Sequence, residues 1–296
     1  MRFANHDGRL TLVPVGSEMS LDGGVGIDLN TASDGALPAC PQEALERWDE
    51  VIAWCKAHSD SAKLDSGHVA LERAKLGAPS PRPMQIFGVG LNYADHGAES
   101  GFELPPMPLI FTKLSTSVTG PYGQVLIESE NVDWEVEIAV VIGRHARKVT
   151  ASAAWDYIAG VTVGQDISER EIQMRPPNLP QFGLGKSLPG FTPLGPLLVT
   201  PDELPDRNNL ELSCTLNGEV VQDSRSELLI FPIATLVEYI SGILPLLPGD
   251  VILTGTPSGV GIGRTPTLYL KDGDRLDSFV EGVGTMSQTV STVAYV

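Results

Sequence analysis

Glu135 and Glu137 stand two apart, directly before five consecutive apolar residues, in the run D-W-E-V-E-I-A-V-V-I that begins at Asp133. A continuous apolar run of this kind reads as a strand buried on both faces, and residues i and i+2 of a strand point to one face. Two carboxylates side by side against a core repel each other and lose hydration, which a cation between them offsets. Metal binding is the simplest chemistry that fits. A third oxygen ligand, Asp166, follows the next apolar run at an expected strand end. Three acids without Cys or His nearby favour a hard ion, Mg²⁺ or Mn²⁺, over zinc. A plainer arrangement competes: E-x-E pairs usually line the solvated face of a strand, and Asp166 is also placed to cap a helix with Glu169 as its capping-box partner. Ser168-Glu169-Arg170-Glu171 is itself an S-x-x-E box, however, so the following turn is capped without Asp166.

A second constellation lies upstream, in Asn92-Tyr93-Ala94-Asp95-His96-Gly97-Ala98-Glu99. If this segment is helical, His96 and Glu99 at i,i+3 share a face, and the glutamate can orient the imidazole for general-base work. A surface ion pair is the commoner fate of such neighbours. His6, His58, His68 and His145 have no comparable setting, and Lys113 and Lys186 are the lysines with apolar or glycine-rich neighbours. Two glycine-rich stretches do not encode nucleotide sites. Gly88-Val89-Gly90-Leu91-Asn92-Tyr93 lacks the third glycine of a dinucleotide fingerprint, and residues 255–261 lack a G-K-[ST] ending. The latter offers Thr256 and several backbone N–H groups, which suit either a carboxylate nest or a tight structural loop.

The elements that must carry these residues are mostly short strands. Strand-like runs are expected near residues 10–15, 25–29, 85–89, 109–112, 135–142, 194–199, 210–216, 250–253 and 275–280, with helices near 41–57 and 233–241. Strands this short and frequent, without regular helices between them, indicate a mainly antiparallel or mixed β architecture and not a doubly wound sheet. Pro79-Ser80-Pro81-Arg82-Pro83 reads as a stiff linker, placing a boundary near residue 80. A chain of 296 residues, 42% of them hydrophobic, can fill a sizeable core. A formal charge of −17 opposes binding to nucleic acid or anionic lipid. No apolar run long enough to span a bilayer and no secretory leader is evident, so a cytoplasmic protein is expected. Cys40, Cys55 and Cys214 are odd in number and widely spaced, which suggests neither a disulfide framework nor a zinc site.

In order along the chain, the motifs resemble the fumarylacetoacetate hydrolase family. They are Gly88 to Tyr93 with His96 and Glu99, Phe111-Thr112-Lys113, Asp133-x-Glu135-x-Glu137, Asp166-Ile167-Ser168, Arg170 with Gln173, Gly185-Lys186-Ser187, Pro193-Leu194-Gly195-Pro196, Asn217-Gly218-Glu219, and Pro248-Gly249-Asp250 through Gly261. The match runs from about residue 84 to the C-terminus. The resemblance implies a mainly β fold with some α: a mixed β-sandwich roll over residues 81–296, preceded by a small α+β domain over residues 1–80. It also implies a divalent ion on Glu135, Glu137 and Asp166, a lid carrying His96 and Glu99, and substrate contacts from Arg170, Gln173 and Thr256. Lys186 is then expected to stabilise an oxyanion or assist protonation at C3 of the substrate. Glu169 departs from the family, which usually has a small residue there.

The step shared by such scaffolds is formation of an enolate from a 2-oxo acid. A water activated by His96 and Glu99 favours C–C hydrolysis of a 2,4-diketo acid of the acylpyruvate type to pyruvate and a carboxylic acid. Oxaloacetate decarboxylation and enol–keto isomerisation or hydration are the alternatives, and a metal-stiffened domain that binds without turnover is a further one. A homodimer is implied as well, with the apolar stretch 228–233 as candidate surface.

Overall fold

The computed structural model describes the chain apart from residues 15, 17–20, 60–63, 101–102, 176–178 and 294–296. Its centre is the strand Val136–Ile142, buried at every position. It lies antiparallel to Ile158–Gln165 on one side and to Val251–Leu253 on the other. The large sheet runs His68–Ala70, Val25–Asp28, Arg9–Leu12, Arg2–His6, Thr192–Val199, Ile158–Gln165, Val136–Ile142, Val251–Leu253, Ile86–Gly90, Leu109–Lys113. A second sheet of five strands, Glu219–Arg225, Glu211–Leu216, Arg275–Val280, Gly284–Thr292 and Tyr122–Ile127, packs against it. The protein is thus mainly β, as the strand density predicts.

The alternation of side chains along Val136–Ile142 decides where the site falls. Val136, Ile138, Val140 and Ile142 point into the core shared with the second sheet. On the opposite face Ala139 and Val141 join a separate core with Phe3, Leu45, Trp48 and Val51 from the N-terminal region. Glu137 follows Ala139 on that same face, two residues toward the strand's start. The first eighty residues therefore cover the apolar half of this face, and the acids begin beyond it. They are joined to the sheet through Phe3 opposite Leu198 and Arg2 opposite Val199.

Several local expectations change in detail. The helical stretch 41–57 is two helices, Pro41–Glu46 and Trp48–Ala57, broken at Arg47 with φ −116° and ψ 32°. The strand expected at 10–15 is Arg9–Leu12, with residue 15 outside the described residues. The proline-rich segment near residue 80 is pinned, because the buried Ser80 hydroxyl donates to the Gly249 carbonyl at 2.6 Å. The stretch 228–233 is only partly buried: Leu229 and Ile233 are inside, Ile230 and Phe231 are half-buried, and Leu228 and Pro232 are exposed. Leu229 bridges Tyr93, and the Ile230 N–H donates to the Asn92 carbonyl. Pairing with the segment before His96 draws Leu229 inside and leaves part of the run at the surface.

Candidate active site

Glu135 and Glu137 sit at the start of the central strand, and Asp166 follows the end of its neighbour, Ile158–Gln165. The antiparallel register places Val136 opposite Gln165, which brings the three acids together. One carboxylate oxygen from each lies within 4.8 Å of the others, and all three residues are buried. The backbone reinforces the grouping, since the Asp166 N–H donates to the Glu135 carbonyl at 2.9 Å. Gln165 Oε1 accepts the Glu135 N–H at 3.0 Å, and Gln222 Oε1 accepts the Val136 N–H at 3.0 Å.

Cations reach this cluster unevenly. Lys186 Nζ lies 2.8 Å from Glu135 Oε2 and 2.6 Å from Asp166 Oδ2. Lys113, fully buried, pairs with Asp166 Oδ1 and donates to the Phe191 carbonyl at 2.8 Å. Arg170 Nη1 lies 2.7 Å from Glu135 Oε1. Its Nη2 is 2.6 Å from Asp133 Oδ2 but out of line for a hydrogen bond, while its Nε donates to the same oxygen at 2.8 Å. Glu137 receives the Gly255 N–H at 2.6 Å and forms no ion pair among the described residues. Four buried acids, counting Asp133, thus face three buried cations.

The protonation equilibria follow this asymmetry. Burial pushes Glu135 up, but Lys186, Arg170 and His96 outweigh it and hold its carboxyl at about 2. Glu137 is driven well above the ordinary range by burial, then by Asp166 and Glu135. Burial opposes the charge on Lys186, yet Asp166 and Glu135 prevail and raise it. Burial wins at Lys113 and lowers it despite Asp166. An uncompensated buried carboxylate costs several kcal/mol, so Glu137 either holds a proton or has a cation beside it. Glu135, Glu137 and Asp166 accordingly fit a divalent ion, and their all-oxygen chemistry fits Mg²⁺ or Mn²⁺.

A cavity of about 330 Å³ opens over this floor, lined by His96, Glu99, Glu135, Arg170, Gln173 and Lys186 among its polar groups. Leu109, Phe111, Met174, Phe182 and Ile262 form apolar wall. Ala94–Ser100 is a helix, and His96 Nδ1 lies 3.6 Å from Glu99 Oε2. His96 Nδ1 is buried without a hydrogen-bond partner, so a small closure would let an Nδ1–H donate to the Glu99 carboxylate. Both Glu99 oxygens accept the Gly259 N–H, at 3.2 and 3.1 Å. Lys186 ends the short helix Phe182–Gly185, and its Nζ stands 5.1 Å from the centre of the Phe111 ring. The lid expected around these residues includes 101–102 and 176–178, which lie outside the described residues.

All nine expected site residues therefore converge except in two respects. Glu137 and Asp166 lie beneath the cavity lining instead of in it. The Thr256 hydroxyl lines the cavity but donates to the Val136 carbonyl at 2.9 Å and accepts from Gln222 Nε2 at 2.7 Å. Its proton is not offered to a substrate carboxylate. The S-x-x-E box is also replaced: Glu169, not Ser168, caps the helix Arg170–Met174, accepting the Ile172 N–H at 2.5 Å. Glu169 also receives the Ser129 hydroxyl at 2.8 Å, so this departure from the family pattern serves a cap and does not reach the cavity wall. Sequence reasoning gave Lys113 and Asp133 no role, although both hold the floor.

The profile of the fumarylacetoacetate (FAA) hydrolase C-terminal family matches residues 85–291. The chain belongs to this family, whose members include hydrolases and isomerases. It is 42% identical over 278 residues to the oxaloacetate tautomerase Fahd2a, mitochondrial, of Rattus norvegicus, covering 93% of this chain and 87% of the relative. A Mycobacterium smegmatis structure provisionally named HpcE superposes with a TM-score of 0.89 at 45% identity, covering 99% of this chain and all of that one. The fumarylacetoacetate hydrolase of Exiguobacterium antarcticum gives 0.79 at 28% identity, covering 99% and 100% of the two chains. No helix among the described residues is long and apolar enough to cross a membrane.

Proposed function

We propose that this protein interconverts the enol and keto forms of a 2-oxo acid of the oxaloacetate type. The observation that carries the reading is the placement of His96 and Glu99 across one cavity from Glu135, Arg170, Gln173 and Lys186, over the buried acids. A Mg²⁺ or Mn²⁺ ion on Glu135, Glu137 and Asp166, when bound, would supply Lewis-acid stabilisation of negative charge on the substrate's oxygens. The remaining chemistry belongs to side chains. His96 moves the proton at C3, and Glu99 holds the imidazole in the tautomer that leaves Nε2 to act as base. Lys186, kept charged by its two acids, stabilises the enolate oxygen instead of serving as a base. Gln173 Oε1 accepts from Arg170 Nη1 at 2.8 Å, which leaves its amide N–H groups for the substrate's oxygens. The name of the 42% identical rat relative supports tautomerisation as the outcome.

C–C hydrolysis of an acylpyruvate is the second reading, and the sequence alone favours it. The observation behind it is the apolar wall of Leu109, Phe111, Met174, Phe182 and Ile262, which suits a larger C4 substituent than a carboxylate. The two are separated by supplying purified protein and Mg²⁺ with enol-oxaloacetate and with a series of acylpyruvates. Ketonisation faster than cleavage supports the first reading; release of pyruvate and a carboxylic acid from the acylpyruvates without accelerated ketonisation replaces it with the second. A homodimer is proposed as well, and small-angle scattering of dilute protein tests it.

A further inference from the structure

We propose that Asp133 is a positioning residue that ties the placement of His96 and Glu99 to that of Glu135. The inference rests on the proposed function for its catalytic meaning, and on geometry for its mechanism. Asp133 is fully buried and does not line the cavity, yet it collects donors from both sides of it. On one side Oδ2 accepts Arg170 Nε at 2.8 Å, and Arg170 passes Nη1 to Glu135 Oε1 at 2.7 Å. On the other, Oδ1 accepts the Gly261 N–H at 2.7 Å and Oδ2 the Ile262 N–H at 2.9 Å.

That second pair belongs to the loop that holds the helix Ala94–Ser100. The Ser258 hydroxyl donates to Asp95 at 2.8 Å, and the Gly259 N–H meets Glu99. Close packing makes the loop a stiff connector. A Cβ on Gly259 would stand 1.9 Å from the Val221 carbonyl oxygen, and one on Gly261 would stand 1.8 Å from that of Leu268. At Gly263 a Cβ would fall 2.3 Å from Glu99 Cγ. The loop cannot shift on Asp133 without moving Glu99. One carboxylate with acceptors on both oxygens thus joins two chemically distinct parts of the site. An asparagine has the same shape but presents N–H groups where one side needs an acceptor, so one connection is lost.

The test compares Asp133→Asn, Gly263→Ala and Arg170→Lys by Mn²⁺ titration, by amide hydrogen exchange over residues 94–100, and by kcat and KM. D133N should quicken exchange in this helix and weaken Mn²⁺ binding by about 10–100-fold, the usual effect of losing a group that orients a metal ligand. G263A should quicken exchange and lower kcat while leaving Mn²⁺ affinity unchanged. Among the described residues Arg170 forms no hydrogen bond or ion pair with the helix, so faster exchange there in R170K supports transmission through Asp133 even if D133N fails to fold. Losses of kcat in D133N and Glu99→Gln should fall short of multiplying in the double variant. Unchanged helix exchange in D133N or R170K overturns the proposal, as do fully multiplicative losses. If the wild type turns over no 2-oxo acid, the functional reading fails while the exchange and Mn²⁺ measurements still decide the coupling.

Discussion

On the floor of the cavity Glu135 and Asp166 stand at the ends of two paired strands, and each of their four oxygens meets a cation from Arg170, Lys113 or Lys186. At the rim, His96 and Glu99 ride on a seven-residue helix that a loop holds through Ser258 and Gly259. Their own contact, at 3.6 Å, is longer than a hydrogen bond. The floor is fixed by charge compensation among buried groups, while the rim is set by a few hydrogen bonds from uncharged donors to Asp95 and Glu99 and by close glycine packing. A rigid floor keeps the ligand geometry for an ion, and a rim poised just short of contact lets the base settle once substrate arrives.

The most severe way to break this contrast is Asp166→Ala, which leaves two buried ammonium groups without their shared carboxylate. A stability loss of about 3–5 kcal/mol is expected from removing one partner of a buried ion pair, and more with two cations involved. Divalent-ion binding should disappear with it. Urea denaturation and Mn²⁺ titration read the two effects. At the rim, His96→Ala should lower kcat by about 10²–10⁴-fold, the range of a lost general base, with the urea midpoint and Mn²⁺ affinity nearly unchanged. A His96→Ala protein that loses its metal would erase the distinction between floor and rim.

The smallest effect sharpens the comparison within the floor itself. Glu137, raised in the folded protein, contributes stability that is complete below its unfolded value near 4.5 and is lost as pH rises through the folded value. Glu135, depressed to about 2, does the opposite: its contribution is present above 4.5 and lost as pH falls toward 2. In chelator, Glu137→Gln should flatten the alkaline decline in urea stability, and Glu135→Gln should flatten the acid one. Saturating Mg²⁺ should suppress the Glu137 decline in the wild type. A decline that survives both Mg²⁺ and the Glu137→Gln change would show that Glu137 is not its source.

How much of this was legible in the sequence depended on how far each residue's partners lie along the chain. Glu135 and Glu137 stood out because acids in an apolar strand violate its pattern, and His96 with Glu99 because helix spacing links them locally. Lys113 stood out as a lysine among apolar neighbours but not by its role, since its partner Asp166 is 53 positions away. Asp133 was visible as an acid beside the strand, but its loop donors begin 128 positions later. The strand Arg2–His6, R-F-A-N-H, was missed because its polar residues hide a pairing with Thr192–Val199 at the other side of the chain. For Thr256 the residues alone leave a carboxylate nest and a structural loop both open, because nothing local reveals that the Val136 carbonyl and Gln222 engage its hydroxyl. Short-range pattern identified the groups that violate their surroundings, and the groups that satisfy them required the fold.

The most direct test of the central claim is exchange of the C3 protons of a 2-oxo acid with D₂O, followed by NMR. Wild-type protein with Mg²⁺ should catalyse deuterium incorporation, chelator should abolish it, and His96→Ala should slow it by about 10²–10⁴-fold without loss of the ion. Exchange that continues at the wild-type rate in excess chelator, or in His96→Ala with Mg²⁺ bound, would contradict enolisation by the buried acids and the rim histidine.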